Sequence, residues 1–239
     1  MSTHHNPPTP PTPPRWPISA ILRNLLLFFL LSSIGLGFLL RWLPPPTSGV
    51  MLYRHAEDLL AHGLFHTIDY RWVSSDEIAP AAYLAAVAGE DQQFFRHGGF
   101  DINSIQSSLA VYSHGGKLRG ASTISQQVAK NLFLTPSKNV IRKGLEVWFT
   151  LVLELLWDKE RILEVYLNIA EFGDHLFGIE AASQHYFGIP AKKLSRPQAA
   201  LLAATLPNPF KLKAAKPSGY LVKRQQWILR QMQNLGTLH

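Results

Sequence analysis

An uncharged apolar stretch near the N-terminus limits what this chain can fold into more than any other feature. The seventeen residues between Arg23 and Arg41 carry no charge. A helix of that length is at the short end of what crosses a bilayer, and Trp16 and Trp42 near its two ends suit the membrane interface. A cleaved signal peptide is the alternative, but the apolar core is long for one and no small-residue cleavage site follows. We therefore expect one transmembrane anchor over residues 18–42.

The remainder of the chain divides by composition into three parts. Residues 1–17 consist largely of proline, threonine and histidine, which cannot build a core and predict a disordered tail. Residues 43–70 begin as a stiff proline-rich linker and continue as an amphipathic segment that could lie along the membrane or pack on the domain. Residues 71–239 are long enough for one substantial domain but not for two.

Helical patterns dominate that domain. A serine or threonine followed three residues later by glutamate or glutamine predicts helix starts at Ser74, Thr123 and Ser195. A long helix is expected from about residue 137 to 157, because an apolar stripe recurs there at helical spacing. The stripe comprises Ile141, Leu145, Trp148, Val152 and Leu155. No stretch shows sustained two-residue alternation bounded by hairpin turns, so we predict a mainly α fold without a sheet.

Charge and cysteine content narrow the function only slightly. The net charge is +7 at pH 7 and is spread along the chain, which suits nucleic acid, anionic lipid or an anionic substrate alike. The glycine-rich segment at residues 113–120 lacks the G-x-x-x-x-G-K-[ST] spacing of a phosphate-binding loop, and we expect it to be a substrate flap instead. Cysteine is absent, which is compatible with an oxidising compartment.

The most informative block spans residues 89–101. Glu90 and Asp91 follow an apolar, alanine-rich run at residues 81–88, so Glu90 is expected at the end of a largely buried helix. Burial there would raise the pKa of the carboxyl toward the value that a general base needs. A solvated helix end is the alternative, but two acids are unfavourable beside the negative end of a helix dipole.

A second block, residues 120–131, contains hydroxyl and amide side chains followed by a lysine. Its candidate ligand residues are Ser122, Gln126 and Lys130, and Lys138, Arg142 and Glu146 follow at four-residue spacing on another face of the long helix. Fixed cations opposite an acid–base carboxylate suit a reaction that releases an anion such as a diphosphate. From spacing alone, the cations could equally be a solvated basic face and the Arg142–Glu146 pair an ordinary surface pair.

Four motifs appear in a characteristic order. They are E-D-x-x-F-x-x-H-x-G-x-D from Glu90, G-A-S-T-I-x-Q-Q-x-x-K-N from Gly120, R-K-x-x-E from Arg142, and K-x-x-I-L-E-x-Y-L-N from Lys159. Together they resemble the peptidoglycan glycosyltransferase family, which is shared by monofunctional transglycosylases and the N-terminal module of class A penicillin-binding proteins. The resemblance covers about residues 72–229 and implies a lysozyme-like helical domain with a smaller membrane-proximal jaw.

The resemblance also implies roles for individual residues. Glu90 would be the general base, and Glu146 would assist the leaving diphosphate by ordering Lys130 and Arg142 or through a divalent cation (Mg²⁺ or Mn²⁺). Ser122, Gln126, Lys130 and Arg142 would line the donor site, and Lys138 would be a second phosphate contact. Asp91, Phe95, His97, Asp101 and Asn168 would support the site structurally. The histidines show no metal-ligand spacing such as H-E-x-x-H, so no metal site held by the protein is predicted.

The implied reaction is polymerisation of lipid II into β-1,4 glycan. Implied partners are lipid II, the growing lipid-linked glycan, the membrane, and cell-division or elongation proteins, with no nucleic acid. The tail would be cytoplasmic and the catalytic domain periplasmic, anchored in the bacterial inner membrane. A lysozyme-like hydrolase is the first alternative, although it would need a second carboxylate rather than cations. A non-catalytic scaffold that binds lipid II is the other.

Overall fold

The structure is a computed structural model that describes residues 17–116, 122–137 and 139–238. The predicted mainly α class is confirmed, because most described residues lie in helices. The helices are α1 (Ile18–Leu40), α2 (Gly49–His62), α3 (Pro80–Glu90), α4 (Ile102–Ser113), α5 (Ile124–Phe133), α6 (Val140–Leu156), α7 (Lys159–Ile169), α8 (Ile179–Phe187), α9 (Arg196–Thr205) and α10 (Gly219–Leu235). The predicted tail and the tip of the predicted flap, residues 117–120, fall outside the described residues, apart from Pro17 of the tail.

The chain forms two compact units that divide between Leu36 and Gly37. Helix α1 has 23 residues and is long and apolar enough to cross a membrane. In the second unit, the residues from Gly37 onward are hydrogen-bonded to the helical domain. Trp157 Nε1 donates to the Gly37 carbonyl at 2.7 Å, and Arg161 donates to the Leu40 carbonyl at 2.8 Å. The second unit therefore begins before the predicted linker.

The core of the second unit is built around α3. Ala85, Ala86 and Ala88 of this helix are fully buried, and small side chains allow α9 and α10 to pack closely against it. Pro80 is the first helical residue, where its missing N–H costs no hydrogen bond. The capping box predicted at Ser74 is wrong: Ser74 Oγ donates to Asp76 at 2.6 Å and a short 3₁₀ turn precedes the helix.

A small sheet contradicts the prediction that no sheet would form. Strands β1 (Asp69–Tyr70), β2 (Glu171–Gly173) and β3 (Leu176–Phe177) lie in the order β1-β3-β2, with β1 parallel and β2 antiparallel to β3. Two- and three-residue strands are too short to show the alternation that identifies a strand in sequence. The sheet joins the segment after α2 to the segment after α7.

Helix α2 packs on the domain through its first turn. Ser48 caps it by accepting from the Met51 N–H at 3.2 Å, and buried Val50 and Met51 contact Phe177 of the sheet. The leucines that make its sequence amphipathic remain exposed; they are Leu52, Leu59 and Leu60.

The buried face of α6 differs from the predicted apolar stripe. Ile141 and Leu155, at the two ends of that stripe, are 79% and 84% exposed. Val152 of the stripe is buried as predicted, but so are Phe149 and Leu153, and Glu146 shares the face of these two residues at helical spacing. The prediction that Glu146 lies away from the packed face is therefore wrong, because α6 packs on α5 through the side that carries this glutamate.

Candidate active site

Helix α3 ends by placing Glu90 against α5 and α10. Arg224 of α10 donates from Nη2 to Glu90 Oε1 at 3.0 Å and to the Gly89 carbonyl at 3.2 Å. Gln127 of α5 donates to Glu90 Oε2 at 3.1 Å. A β-carbon at position 89 would lie 3.2 Å from Ile228 Cδ1, so glycine there allows α10 to approach. Each oxygen of the Glu90 carboxylate therefore has one fixed donor.

Burial dominates the ionisation of Glu90. The side chain is 13% exposed, and burial raises its pKa above the usual value. The hydrogen bond from Gln127 and the charge of Arg224 act in the opposite direction. The raised pKa agrees with the sequence-based expectation and makes the carboxylate a better proton acceptor.

Asp91 braces the loop that follows α3. Its carboxylate is buried and lies 3.0 Å from His97 Nε2, and it accepts from the Ile124 backbone N–H at 3.0 Å. Because the Gly99 N–H donates to His97 Nδ1 at 3.1 Å, Nε2 carries the proton and donates to Asp91. Burial raises the pKa of Asp91, while the bonds from Ile124 and His97 oppose the shift. The network joins the end of α3 to the first residue of α5.

The start of α5 determines which glutamine reaches Glu90. Thr123 and Gln126 form the predicted capping box: Thr123 Oγ1 accepts from the Gln126 N–H at 3.2 Å, and Gln126 Oε1 accepts from the Thr123 N–H at 3.0 Å. Gln126 is therefore buried in the helix cap. Gln127, the next residue, contacts Glu90 instead.

Glu146 lies buried in a cluster of cations. Its side chain is 4% exposed; Arg142 Nη1 donates to Oε2 at 2.5 Å, and Lys143 pairs with Oε1. Arg142 Nε is buried and has no hydrogen-bond partner among the described residues. Burial lowers the pKa of Lys130, and the negative charges of Glu146 and Glu90 oppose that shift. The pKa of Lys130 therefore depends on both glutamates.

The residues around Glu146 do not fit a divalent cation. Both carboxylate oxygens are already paired with positive side chains, those of Arg142 and Lys143. A dication would be repelled by these charges and by Lys130, and Mg²⁺ or Mn²⁺ prefers several oxygen ligands.

A cleft of about 330 Å³ opens beside Glu90 and is lined in part by Ser122 and Asp101. Asp101 also caps α4 by accepting from the Ser104 N–H at 2.9 Å, and the hydrogen bonds from Ser104 lower its pKa. Phe95 lines a separate cavity of about 930 Å³ and packs edge-on against Phe94, which is fully buried. The cleft thus places Ser122 and Asp101, but not Phe95, next to Glu90.

Asn168 fixes the backbone before α3. Its side chain is fully buried, donates to the Val73 and Glu164 carbonyls at 2.9 Å each, and accepts from the Val73 N–H at 3.0 Å. Lys138 lies outside the described residues, so its predicted phosphate contact stays a prediction.

Comparison with known proteins identifies the family of this chain. A family model described as transglycosylase matches residues 59–233. The chain belongs to the transglycosylase family. A Pasteurella multocida protein named biosynthetic peptidoglycan transglycosylase is 53% identical over 90% of this chain and 86% of its own length. A Pseudomonas entomophila protein of the same name is 49% identical over 92% of this chain and 94% of its own length.

Three residues that contact this transglycosylase site were missed by the sequence analysis; they are Lys143, Tyr166 and Arg224. Gln127 belongs to the predicted group of hydroxyl and amide side chains, but its contact with Glu90 was not predicted. Tyr166 OH donates to Gln127 Oε1 at 3.3 Å, which orients the amide toward Glu90. A signal for Gln127 was present, since the capping-box spacing assigns Gln126 to the cap. Arg224 gave no such signal, because only packing of α10 on α3 brings it to Glu90.

Proposed function

We propose that this chain is a membrane-anchored peptidoglycan glycosyltransferase that polymerises lipid II into β-1,4 glycan strands and releases the lipid diphosphate. One observation carries the proposal: the two glutamates occupy opposite surroundings. Glu90 is largely buried at the edge of a cleft and has a raised pKa, whereas each carboxylate oxygen of Glu146 is paired with a cation. Membership of the transglycosylase family and the names of its relatives support the same activity.

Glu90 activates the acceptor. Its carboxylate takes the proton from the 4-hydroxyl of the acceptor sugar of lipid II, and the hydroxyl oxygen attacks C1 of the donor. The bond from C1 to the diphosphate oxygen breaks with inversion, so the α-linked donor yields a β-linked product. Gln127 and Arg224 hold the carboxylate in place while it accepts the proton.

The cation cluster stabilises the leaving diphosphate. Lys130, Arg142 and Lys143 supply positive charge for the developing negative charge of the leaving group. Glu146 orders Arg142 and Lys143. Ser122, which lines the cleft, contributes its hydroxyl to donor binding, and Gln126 acts through the cap that positions α5.

Helix α1 anchors the enzyme in the bacterial inner membrane, with the tail in the cytoplasm and the catalytic domain in the periplasm. This placement is supported by the apolar helix and by the need to reach a lipid-linked substrate. Its partners are lipid II, the growing lipid-linked glycan, and proteins of cell division or elongation.

The reaction class is tested with purified full-length protein in detergent. Labelled lipid II and pre-formed glycan are supplied in separate incubations, and the products are separated by size. The proposal expects long glycan from lipid II and no shortening of the pre-formed glycan. Shortened glycan without polymer would indicate a hydrolase, and lipid II binding without any product would indicate a scaffold.

A further inference from the structure

Three side chains with metal-binding atoms converge outside the Glu90 site. Asp58 comes from α2, His66 from the segment after it, and His175 from the turn between β2 and β3. His66 Nδ1 lies 3.0 Å from Asp58 Oδ1, and His175 Nε2 lies 2.9 Å from Asp58 Oδ2. The three ligand atoms all lie within 4.8 Å of one another.

Two of the three separations are close to those of a zinc site. With Zn–N and Zn–O distances near 2.0–2.1 Å, the ligand atoms of a tetrahedral site lie roughly 3.3–3.4 Å apart. The two contacts at Asp58 are a few tenths of an ångström shorter, and the two histidine nitrogens lie within 4.8 Å of each other, so side-chain rotations would bring all three atoms to zinc distances.

His175 has the second contact that metal-bound histidines usually have. Its Nδ1 lies 3.0 Å from Asp174 Oδ1, so both ring nitrogens face carboxylates. A metal-bound histidine typically donates its other N–H to a carboxylate, as Nδ1 would here to Asp174.

We propose that Asp58, His66 and His175 bind one zinc ion, with the fourth position open to water. Two imidazole ligands favour zinc over Mg²⁺ or Ca²⁺, which prefer oxygen. The ion would connect α2 and the segment before β1 to the β2–β3 turn. The three ligands come from segments that are far apart in the sequence, so motif spacings such as H-E-x-x-H do not detect them. The sheet brings His175 close to the other two, since its carbonyl accepts from the Asp69 N–H at 2.9 Å.

The test measures zinc affinity on the full-length chain, purified in detergent without a polyhistidine tag and stripped of metal by a chelator. Zinc is titrated in competition with a chromophoric chelator, and melting temperature is recorded with and without zinc. We expect one zinc per chain and a rise in the melting temperature. Asp58→Asn and His66→Ala should each weaken binding by about tenfold or more. His185→Ala, an exposed histidine outside the cluster, should bind zinc as the wild type does.

Equal zinc affinity in the wild type and His66→Ala would overturn the proposal and leave the cluster as a hydrogen-bonded brace. His66 is exposed, so its replacement has little effect on packing and the comparison does not depend on refolding. If zinc were bound by His4 and His5 of the tail instead, its affinity would be the same in the wild type and in every variant, which is the result that overturns the proposal.

Discussion

The ionisation of Glu90 depends on a balance between burial and Arg224. Burial favours the neutral acid, whereas the guanidinium 3.0 Å away favours the carboxylate. A general base must be ionised to accept a proton, so activity falls as the pH drops through the pKa of Glu90. The acid limb of the pH profile therefore reports this balance.

Replacing Arg224 should move that limb. Arg224→Ala removes the charge that opposes burial, so the pKa of Glu90 rises and the acid limb of kcat/KM should shift to higher pH by about one unit. Arg224→Lys retains a charge and should shift the limb less. The measurement is the initial rate of lipid II consumption across a pH series. A lower rate with an unmoved acid limb would show that Arg224 does not set the pKa of Glu90.

For single residues, short-range sequence patterns predicted those features that depend only on neighbouring residues. Glu90 at the end of a buried helix and the Thr123–Gln126 capping box both follow from short-range patterns, and both were found. The glutamine that contacts Glu90 was not predicted, because neighbouring helical residues point about 100° apart and the cap already uses Gln126. Arg224 could not be predicted, since its contact exists only after α10 packs on α3.

Among the helices, α5 links most of the site. Its cap residue Thr123 donates to the Gly99 carbonyl at 2.7 Å, and Asp91 accepts from the N–H of Ile124, the first residue of the helix. Further along the helix lie Gln127 and Lys130. The position of the helix start therefore sets the distance between the base and the cations.

Loss of the cap should weaken both stability and activity. Thr123→Ala removes the hydroxyl that caps α5 and bonds Gly99, and should cost about 1–2 kcal/mol of unfolding free energy. Thr123→Ser is the matched control, because both variants lose the γ-methyl and only serine keeps the hydroxyl. Urea unfolding of the full chain in detergent, followed by circular dichroism, measures the difference. Equal stability of the two variants would mean that the hydroxyl does not support the helix.

The elements themselves were predictable where they are long. Thr123 and Ser195 begin helices as predicted, each with its capping box, because capping chemistry is local. The small sheet was missed because each strand depends on pairing between distant segments. The buried face of α6 was misassigned because several of its apolar residues remain exposed, so periodicity alone did not show which side packs on α5.

For the whole molecule, the apolar α1 fits a membrane anchor, but the side on which the domain lies was inferred from the resemblance and not from charge. Arg15 and Arg23 before the uncharged stretch barely outnumber Arg41 after it, and this bias is too small to fix orientation.

Topology can be measured directly in spheroplasts. With the catalytic domain outside the inner membrane, proteinase K added to intact spheroplasts should degrade the domain while a cytoplasmic marker survives. An immunoblot against the C-terminal helix α10 follows the loss. Protection of the domain until the spheroplasts are lysed would place it in the cytoplasm and would contradict the proposed localisation.

The most direct test of the account is polymerisation by Glu90→Gln. This change keeps the shape of the side chain but removes its ability to take a proton, so lipid II polymerisation should fall by about 10²-fold or more. Glu77→Gln, at an exposed glutamate before α3, is the control and should polymerise as the wild type does. Each protein is incubated with labelled lipid II and the products are separated by size. A separate assay measures lipid II binding. The account predicts that the wild type and the control make long glycan, and that Glu90→Gln still binds lipid II but makes no long glycan. If Glu90→Gln made glycan at the wild-type rate, Glu90 would not be the base.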